Sequence, residues 1–451
     1  MPHKSDSIIP DVIVIGGGFS SAILTHTLSK QGYTVIVLEA SERLGGRLST
    51  IELNGRAIDA GCSFVHGYSD SHPLHALSSE LGVEIEYAGA TKPAIISNKE
   101  ALDDATAATL QTALTKAIEA AKDSKTHTAH NSLKKVLLES LESTIDGKET
   151  LALATAYINS LDAPLGMPVE EVTDLTRFGW EKPLDGKDAL VKGGYAVLFD
   201  AIWQSALDTG KVTVLKEQKC VSISTKDKVK TIVSTTRGQL ESKVIVCTVP
   251  LSTLSTIEFH PPLPAEKQSA IADTRVGLLE KLICTYKKNW WGDRNSFTIL
   301  PTRSTHHSAK EVLESHVLNV QAFENHPTLL IYLPPGAVRL LAMYSKQEVE
   351  NAGAEVLAES LGGADVDKKS ATPLKTHLTT WKKDSNSNGA TTTYCTPQQL
   401  RALQTAVADD RLGFGGEHTE IDNHGSVNGA VLSGLREAKR VAGYLERRAA
   451  N

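Results

Sequence analysis

The chain has 451 residues, 41% of them hydrophobic and 22% charged, with a formal net charge of −6. This is the composition of a folded chain long enough for two or more domains, and it excludes disorder, collagen and coiled coil as the main class. The mildly acidic balance leaves no basic footprint for nucleic acid or an anionic membrane, and aromatic residues, at 5%, are scarce.

In chain order, residues 1–10 carry no apolar core of a secretory signal. The first predicted element is a β-branched strand, Val12-Ile13-Val14-Ile15, which runs into Gly16-Gly17-Gly18. A helix with apolar residues at helical spacing follows and stops at Gly32. A second strand, Thr34-Val35-Ile36-Val37-Leu38, ends on Glu39. Strand, glycine turn, helix, strand and acid form a dinucleotide-binding pattern. Gly16 allows the tight turn and Gly18 lets a pyrophosphate approach the backbone. The helix N-terminus offers that anion free N–H groups and its dipole. Glu39 can accept from ribose hydroxyls, and its charge disfavours a 2′-phosphate. The third glycine of the pattern is replaced by Ser21, which is still small enough for close helix–strand packing.

Gly45-Gly46 lies between Arg43 and Arg47. Taken alone it reads as a solvated surface turn; beside the strand–acid pattern it suggests a second loop on the cofactor, with Arg47 neutralising pyrophosphate. Residues 101–143 are rich in alanine and leucine at helical spacing, 211–250 alternate like a meander of strands, and 384–389 form a polar loop. The five cysteines, Cys62, Cys220, Cys247, Cys284 and Cys395, are widely spaced and make no CxxC pair, so a reducing compartment without a zinc or other metal site is expected. No run of about 18 apolar residues occurs, and the C-terminal residues are not a peroxisomal address. A cytoplasmic protein without a membrane span is expected.

The stretches DVIVIGGGFSS, VLEASERLGGRLST, DAGCSFVHGYSDSHPLHALSSELGV, VKGGYAVL, KVIVCTVPLSTL, LLEKLICTYKKNWW and GFGGEHTEIDNHGSVNGAVLSGLREAKRVAGYL resemble the flavin-dependent amine oxidase family, in particular its polyamine/spermine oxidase-like branch. The resemblance covers essentially the whole chain. It implies an α/β fold whose substrate part is α+β. A Rossmann-like FAD-binding domain (1–80, 200–270 and 400–451) is interleaved with a mixed-sheet-plus-helices substrate domain (81–199 and 271–399). It also implies FAD. Relatives with covalent FAD carry the attachment cysteine nine residues after a tryptophan; after Trp381 that position is Ala390, and Cys395 comes five residues too late, so noncovalent FAD is expected.

By position, Gly16, Gly18, Ser21, Glu39, Ala40, Arg47 and Val221 resemble the family's contacts on the ADP side. Gly61, Cys62, Ser63 and Phe64 resemble the segment passing the isoalloxazine ring, and Trp381 the residue packed near it. Glu417 resembles an acid contacting the ribityl or pyrophosphate region, and Val427 a residue whose backbone N–H meets flavin O2. On the residues alone Lys281 reads as a surface lysine and His66 as structural. The resemblance makes Lys281 the lysine that holds a water near flavin N5 and aids reoxidation, and His66 the histidine near the substrate amine. Two rings that enclose the amine in many relatives are replaced by Thr391 and Ser426. Glu170, Glu171 and Asp188 are acidic candidates for a polyamine's distal charges.

The implied reaction transfers a hydride from the carbon next to an amine nitrogen to flavin N5. It yields an imine or aldehyde, a shorter amine and hydrogen peroxide, from a small-molecule amine and molecular oxygen. The alternatives are oxidation or desaturation of a specialised-metabolite amine, and a flavin-containing ligand-binding protein with little turnover.

Overall fold

The run Val12–Ile15 is the middle strand of a five-stranded parallel sheet, ordered Val212–Leu215, Val35–Leu38, Val12–Ile15, Val244–Cys247, Leu412–Phe414. The structure, a computed structural model, describes residues 9–123, 132–323, 326–362 and 366–450. Most of the N-terminal stretch read for a signal, residues 124–131 of the expected helical region and the final residue lie outside them. Side chains alternate across the sheet, and both faces are covered, which is why these strands read as unbroken β-branched runs. Val12 and Val14 pack with the helices Phe19–Lys30, Tyr195–Leu207 and Val427–Ala449. Ile13 and Ile15 pack on the other side against Ile223 and Val233 of a four-stranded mixed sheet. The expected meander at 211–250 is therefore divided: Val212–Leu215 and Val244–Cys247 join the parallel sheet, and the three strands between them form the second sheet together with Glu258–His260.

The other half is built on a seven-stranded sheet, ordered Lys375–Leu378, Glu280–Thr285, Thr328–Leu333, Leu318–Phe323, Ser296–Ile299, Pro93–Ser97, Glu100–Ala101. Helices Ala309–Glu314, Pro335–Leu341 and Lys346–Leu361 cover one face. On the other face Ile283 and Leu330 meet Leu53, Ile58 and Ala60 from the N-terminal part of the chain. This contact brings the two halves together beside the site. The expected boundaries at 200 and 400 fall inside the helices Tyr195–Leu207 and Pro397–Gln404. Tyr195, Leu198 and Phe199 share a core with Val12 and Val14, so the first of these helices goes whole with the nucleotide half.

The chain closes by packing its last long helix on its first. Ser20 Oγ and Ser433 Oγ lie 3.0 Å apart, and the Gly416 N–H donates to both. A Cβ added at Gly434 would come within 2.6 Å of the Ser20 carbonyl oxygen, so the crossing requires glycine there. Gly434→Ala is expected to cost about 1–3 kcal/mol through overpacking. A thermal melt at wild-type temperature would contradict the crossing.

Candidate active site

The glycine turn is the first wall of the site. Gly16 has φ +98°, a conformation L side chains rarely adopt, and a Cβ there would sit 3.0 Å from Thr248 Oγ1. The helix Phe19–Lys30 begins after Gly18 with no side-chain cap and no acid in its first turn. Its first N–H groups are therefore open to an anion. The Gly45 N–H donates to Gly17 O at 2.9 Å, and Arg43 fastens the same loop through Leu48 O at 3.1 Å and Gly46 O at 2.6 Å. Glu39 Oε2 accepts from the Gly17 N–H at 2.7 Å, and Oε1 accepts from Ser41 N and Oγ at 2.8 Å. A carboxylate has about four acceptor positions, so Glu39 keeps one for a ligand hydroxyl.

The middle is set by an ion pair between distant segments. Arg47 Nη1 donates to Glu417 Oε1 at 2.7 Å and to Ala390 O at 2.8 Å. Thr392 Oγ1 donates to Glu417 Oε1, and the Gly425 N–H to Oε2, each at 2.9 Å. Burial alone would raise the Glu417 pKa; the Arg47 charge and these bonds outweigh it and hold the carboxyl below its ordinary value. Glu417, expected on the cofactor, lines the cavity and also holds Arg47 in place. His418 beside it is driven down to about 4 by burial and stays neutral.

The far end is built on Glu280–Thr285. Leu282 and Cys284 enter the core under the helices, so strand alternation turns Lys281 with Ile283 to the face shared with the nucleotide half. Lys281 Nζ donates to Asp59 O at 3.2 Å, to Gly61 O and to Ser63 Oγ at 2.6 Å, and lies 5.7 Å from the Tyr332 ring centre. Burial lowers its pKa to about 8, against the opposing influence of Cys62 and Asp59. The Asp59 carboxylate in turn accepts from Thr50 Oγ1 at 2.5 Å and from the Tyr195 N–H at 3.1 Å. Its burial raises its own pKa. His66 Nδ1 and Asp188 Oδ1 are 2.9 Å apart and about half exposed. The Tyr332 hydroxyl donates to Gln321 Oε1 at 3.2 Å.

These parts line one cavity of about 810 Å³. Gly16, Gly18, Glu39, Ala40 and Arg47 line it, as do Gly61, Cys62, Ser63, Phe64 and Trp381. Lys281, His66, Glu417, Val427, Thr391 and Ser426 complete the expected residues found there. Two expected residues lie outside this lining. Ser21 is fully buried behind the turn, and its neighbour Ser20 lines the cavity, because one helical step turns the side chain by about 100°. Val221 is 44% exposed and lies outside, while Cys220 is inside, because strand neighbours face opposite ways. In this arrangement each of the three Lys281 Nζ protons has a protein acceptor.

Asp188 is the one distal acid that lines the cavity; Glu171 is paired with Arg339 and Arg275, and Glu170 lies 4.0 Å from Lys134. Thr248, Gln321 and Tyr332 were missed. Thr248 follows a parallel strand at its carboxyl end, a place where ligands bind in such sheets and a usable signal. Tyr332 faces Lys281 only through strand register, which no local pattern reveals. Among the described residues no group of His, Cys, Asp and Glu is placed to hold a metal ion.

The donor set fits FAD. An uncapped helix N-terminus and a spare acceptor on Glu39 suit a pyrophosphate and a ribose. Lys281, at the other end of the same cavity, suits a ring that becomes anionic. A carboxyl held below its unfolded value adds stability that is present above the ordinary carboxyl range and is lost as pH falls through the folded value. Arg47→Met is therefore expected to destabilise the chain at pH 7 by about 3 kcal/mol, because Glu417 is left buried and unpaired. The loss should shrink in acid, where protonation neutralises Glu417. Denaturant curves with the same loss at both pH values would contradict the pairing.

Residues 24–442 match the family described as flavin containing amine oxidoreductase. Polyamine oxidase 4 of Oryza sativa subsp. japonica is 25% identical over 95% of this chain and 88% of that protein. Polyamine oxidase 2 of Arabidopsis thaliana is 26% identical over 95% and 87%. Pseudooxynicotine dehydrogenase of Pseudomonas sp is 25% identical over 98% and 88%. A solved structure of a putrescine oxidase double mutant, redesigned in its cofactor binding, shares the fold with a TM-score of 0.74. It is 17% identical, and the match covers 96% of this chain and 99% of that one. The chain belongs to the flavin-containing amine oxidoreductase family, and it is an FAD-dependent amine oxidase.

Proposed function

We propose that this enzyme oxidises a polyamine or a related amine, with noncovalent FAD, oxygen as the acceptor and a cytoplasmic location. The observation that carries the reading is one cavity shared by the buried Lys281 and the Asp188–His66 pair. When bound, FAD supplies the acceptor for a hydride leaving the carbon next to the amine nitrogen. With Nδ1 held by Asp188, His66 has Nε2 left to take the proton from an entering ammonium. An amine must be neutral to release a hydride, so this proton transfer precedes oxidation. Asp188 has a further carboxylate oxygen for a second ammonium group, which favours a substrate with more than one nitrogen. Lys281, charged below about 8, stabilises negative charge that develops at its end of the cavity. Relatives named polyamine oxidase support the substrate class.

Two observations support noncovalent FAD. Cys395 is buried outside the cavity lining. Cys62 lines it, but burial pushes that thiol up to about 12, so it stays a protonated, poor nucleophile. Among the described residues no helix is long and apolar enough to cross a membrane, and all five cysteines are free, which supports the location.

A bulkier specialised amine is the second reading, favoured by the small side chains of Thr391 and Ser426 in the cavity lining. Ser426 is used in helix capping: its Oγ accepts from the Gly429 N–H at 3.2 Å and donates to Asn423 O at 2.6 Å.

Peroxide release is expected with spermine, spermidine or their acetylated forms; release only from bulky monoamines would select the second reading. Acid precipitation should leave all flavin in the supernatant, and flavin in the pellet would refute noncovalent binding. Lys281→Met is expected to slow reoxidation roughly a hundredfold. The wild-type rate should fall as pH rises through about 8, where the lysine loses its charge. Unchanged reoxidation would remove Lys281 from this role.

A further inference from the structure

The three protons of the Lys281 ammonium meet three acceptors: Asp59 O, Gly61 O and Ser63 Oγ. An ammonium has three donors and no acceptor, so none remains to reach the cavity directly. Asp59 O and Gly61 O are main-chain carbonyls with no exchangeable proton. Ser63 is the partner with a proton of its own, and it lines the cavity. Its hydroxyl donates to Asp59 O at 3.2 Å, a carbonyl that Lys281 Nζ also holds. The serine can therefore turn its O–H to another acceptor without leaving that oxygen unpaired.

We propose that Ser63 is a positioning residue that holds the Lys281 ammonium and carries its proton into the cavity. The proposal rests on the reading that Lys281 serves reoxidation. In the step, one Nζ–H bond breaks and its proton passes to Ser63 Oγ. The Ser63 O–H bond breaks as its proton passes to a basic oxygen or nitrogen atom in the cavity. Lys281 is left neutral, Ser63 again carries one hydroxyl proton, and one proton has been delivered; a proton from solvent reverses the sequence. The other groups facing Lys281 do not offer this route. The Asp59 carboxylate is occupied by Thr50 Oγ1 and the Tyr195 N–H, Cys62 is held protonated, and the Tyr332 hydroxyl is turned to Gln321. The carbonyls fix where the charge sits, and the serine connects it to the space where a ligand lies.

The test uses the full chain with FAD bound and lysine labelled with ¹³C at Cε. The Lys281 NMR signal is identified as the one lost in Lys281→Met. In Ser63→Ala the charged form loses an acceptor, so its proton affinity is expected to fall about tenfold. Ser63→Thr keeps the hydroxyl and should restore the wild-type titration. The pH at which reoxidation slows should shift to lower values in Ser63→Ala, with KM for the amine unchanged. A Ser63→Ala protein with wild-type Lys281 titration and wild-type reoxidation profile overturns the proposal. Wild-type reoxidation in Lys281→Met would overturn the reading of Lys281 itself, and the NMR titration would still decide whether Ser63 holds the ammonium.

Discussion

A buried ammonium needs acceptors on every side, and the active end of this enzyme is organised by how Lys281 obtains them. Taking a charge out of water costs several kcal/mol unless hydrogen bonds replace the lost hydration. The acceptors come from residues 59–63, about 220 positions away in sequence. That loop is itself fixed by the bonds of the Asp59 carboxylate to Thr50 and the Tyr195 N–H, and by the Tyr195 hydroxyl donating to Phe64 O at 3.0 Å. The helix Tyr195–Leu207 has no side-chain cap of its own, so Asp59 and Thr50 satisfy its N-terminus from a distance. One set of interactions thus caps a helix, shapes the loop and seats the lysine.

The remainder of the cavity depends on the chain returning to its start. The Arg47–Glu417 pair joins the loop after the second strand to the segment before the last helix. The serine contacts at Gly416 lock that segment against the glycine turn. Asn428, in the first turn of the last helix, donates to His66 O at 2.7 Å and meets His72 Nε2 at 3.1 Å. His66, which lines the cavity, is thereby positioned by the same helix that completes the nucleotide half.

Much of this was legible because the nucleotide half is written in local patterns. The buried parallel strands, the glycine turn and Glu39 stand close in sequence, and their chemistry follows from spacing. What was not legible depends on register and rotation. Asp188 meets His66 because their strands are antiparallel neighbours, with Val65 opposite Ala189 and Tyr68 opposite Lys187. Tyr332 meets Lys281 in the same manner. Ser21 and Val221 stand one residue from Ser20 and Cys220 in the cavity lining, and that single step turns a side chain from cavity to core or to solvent. Ser426, which the resemblance marks as a position without its expected ring, has its hydroxyl used to cap a helix.

The central claim is that this cavity oxidises an amine that has first been made neutral. The most direct measurement is anaerobic rapid mixing of the yellow enzyme with spermine and related amines across a range of pH. The account predicts loss of the oxidised flavin absorbance in a single turnover, with a rate that rises as the bound amine loses its proton. An absorbance left unchanged by every amine at every pH would contradict it.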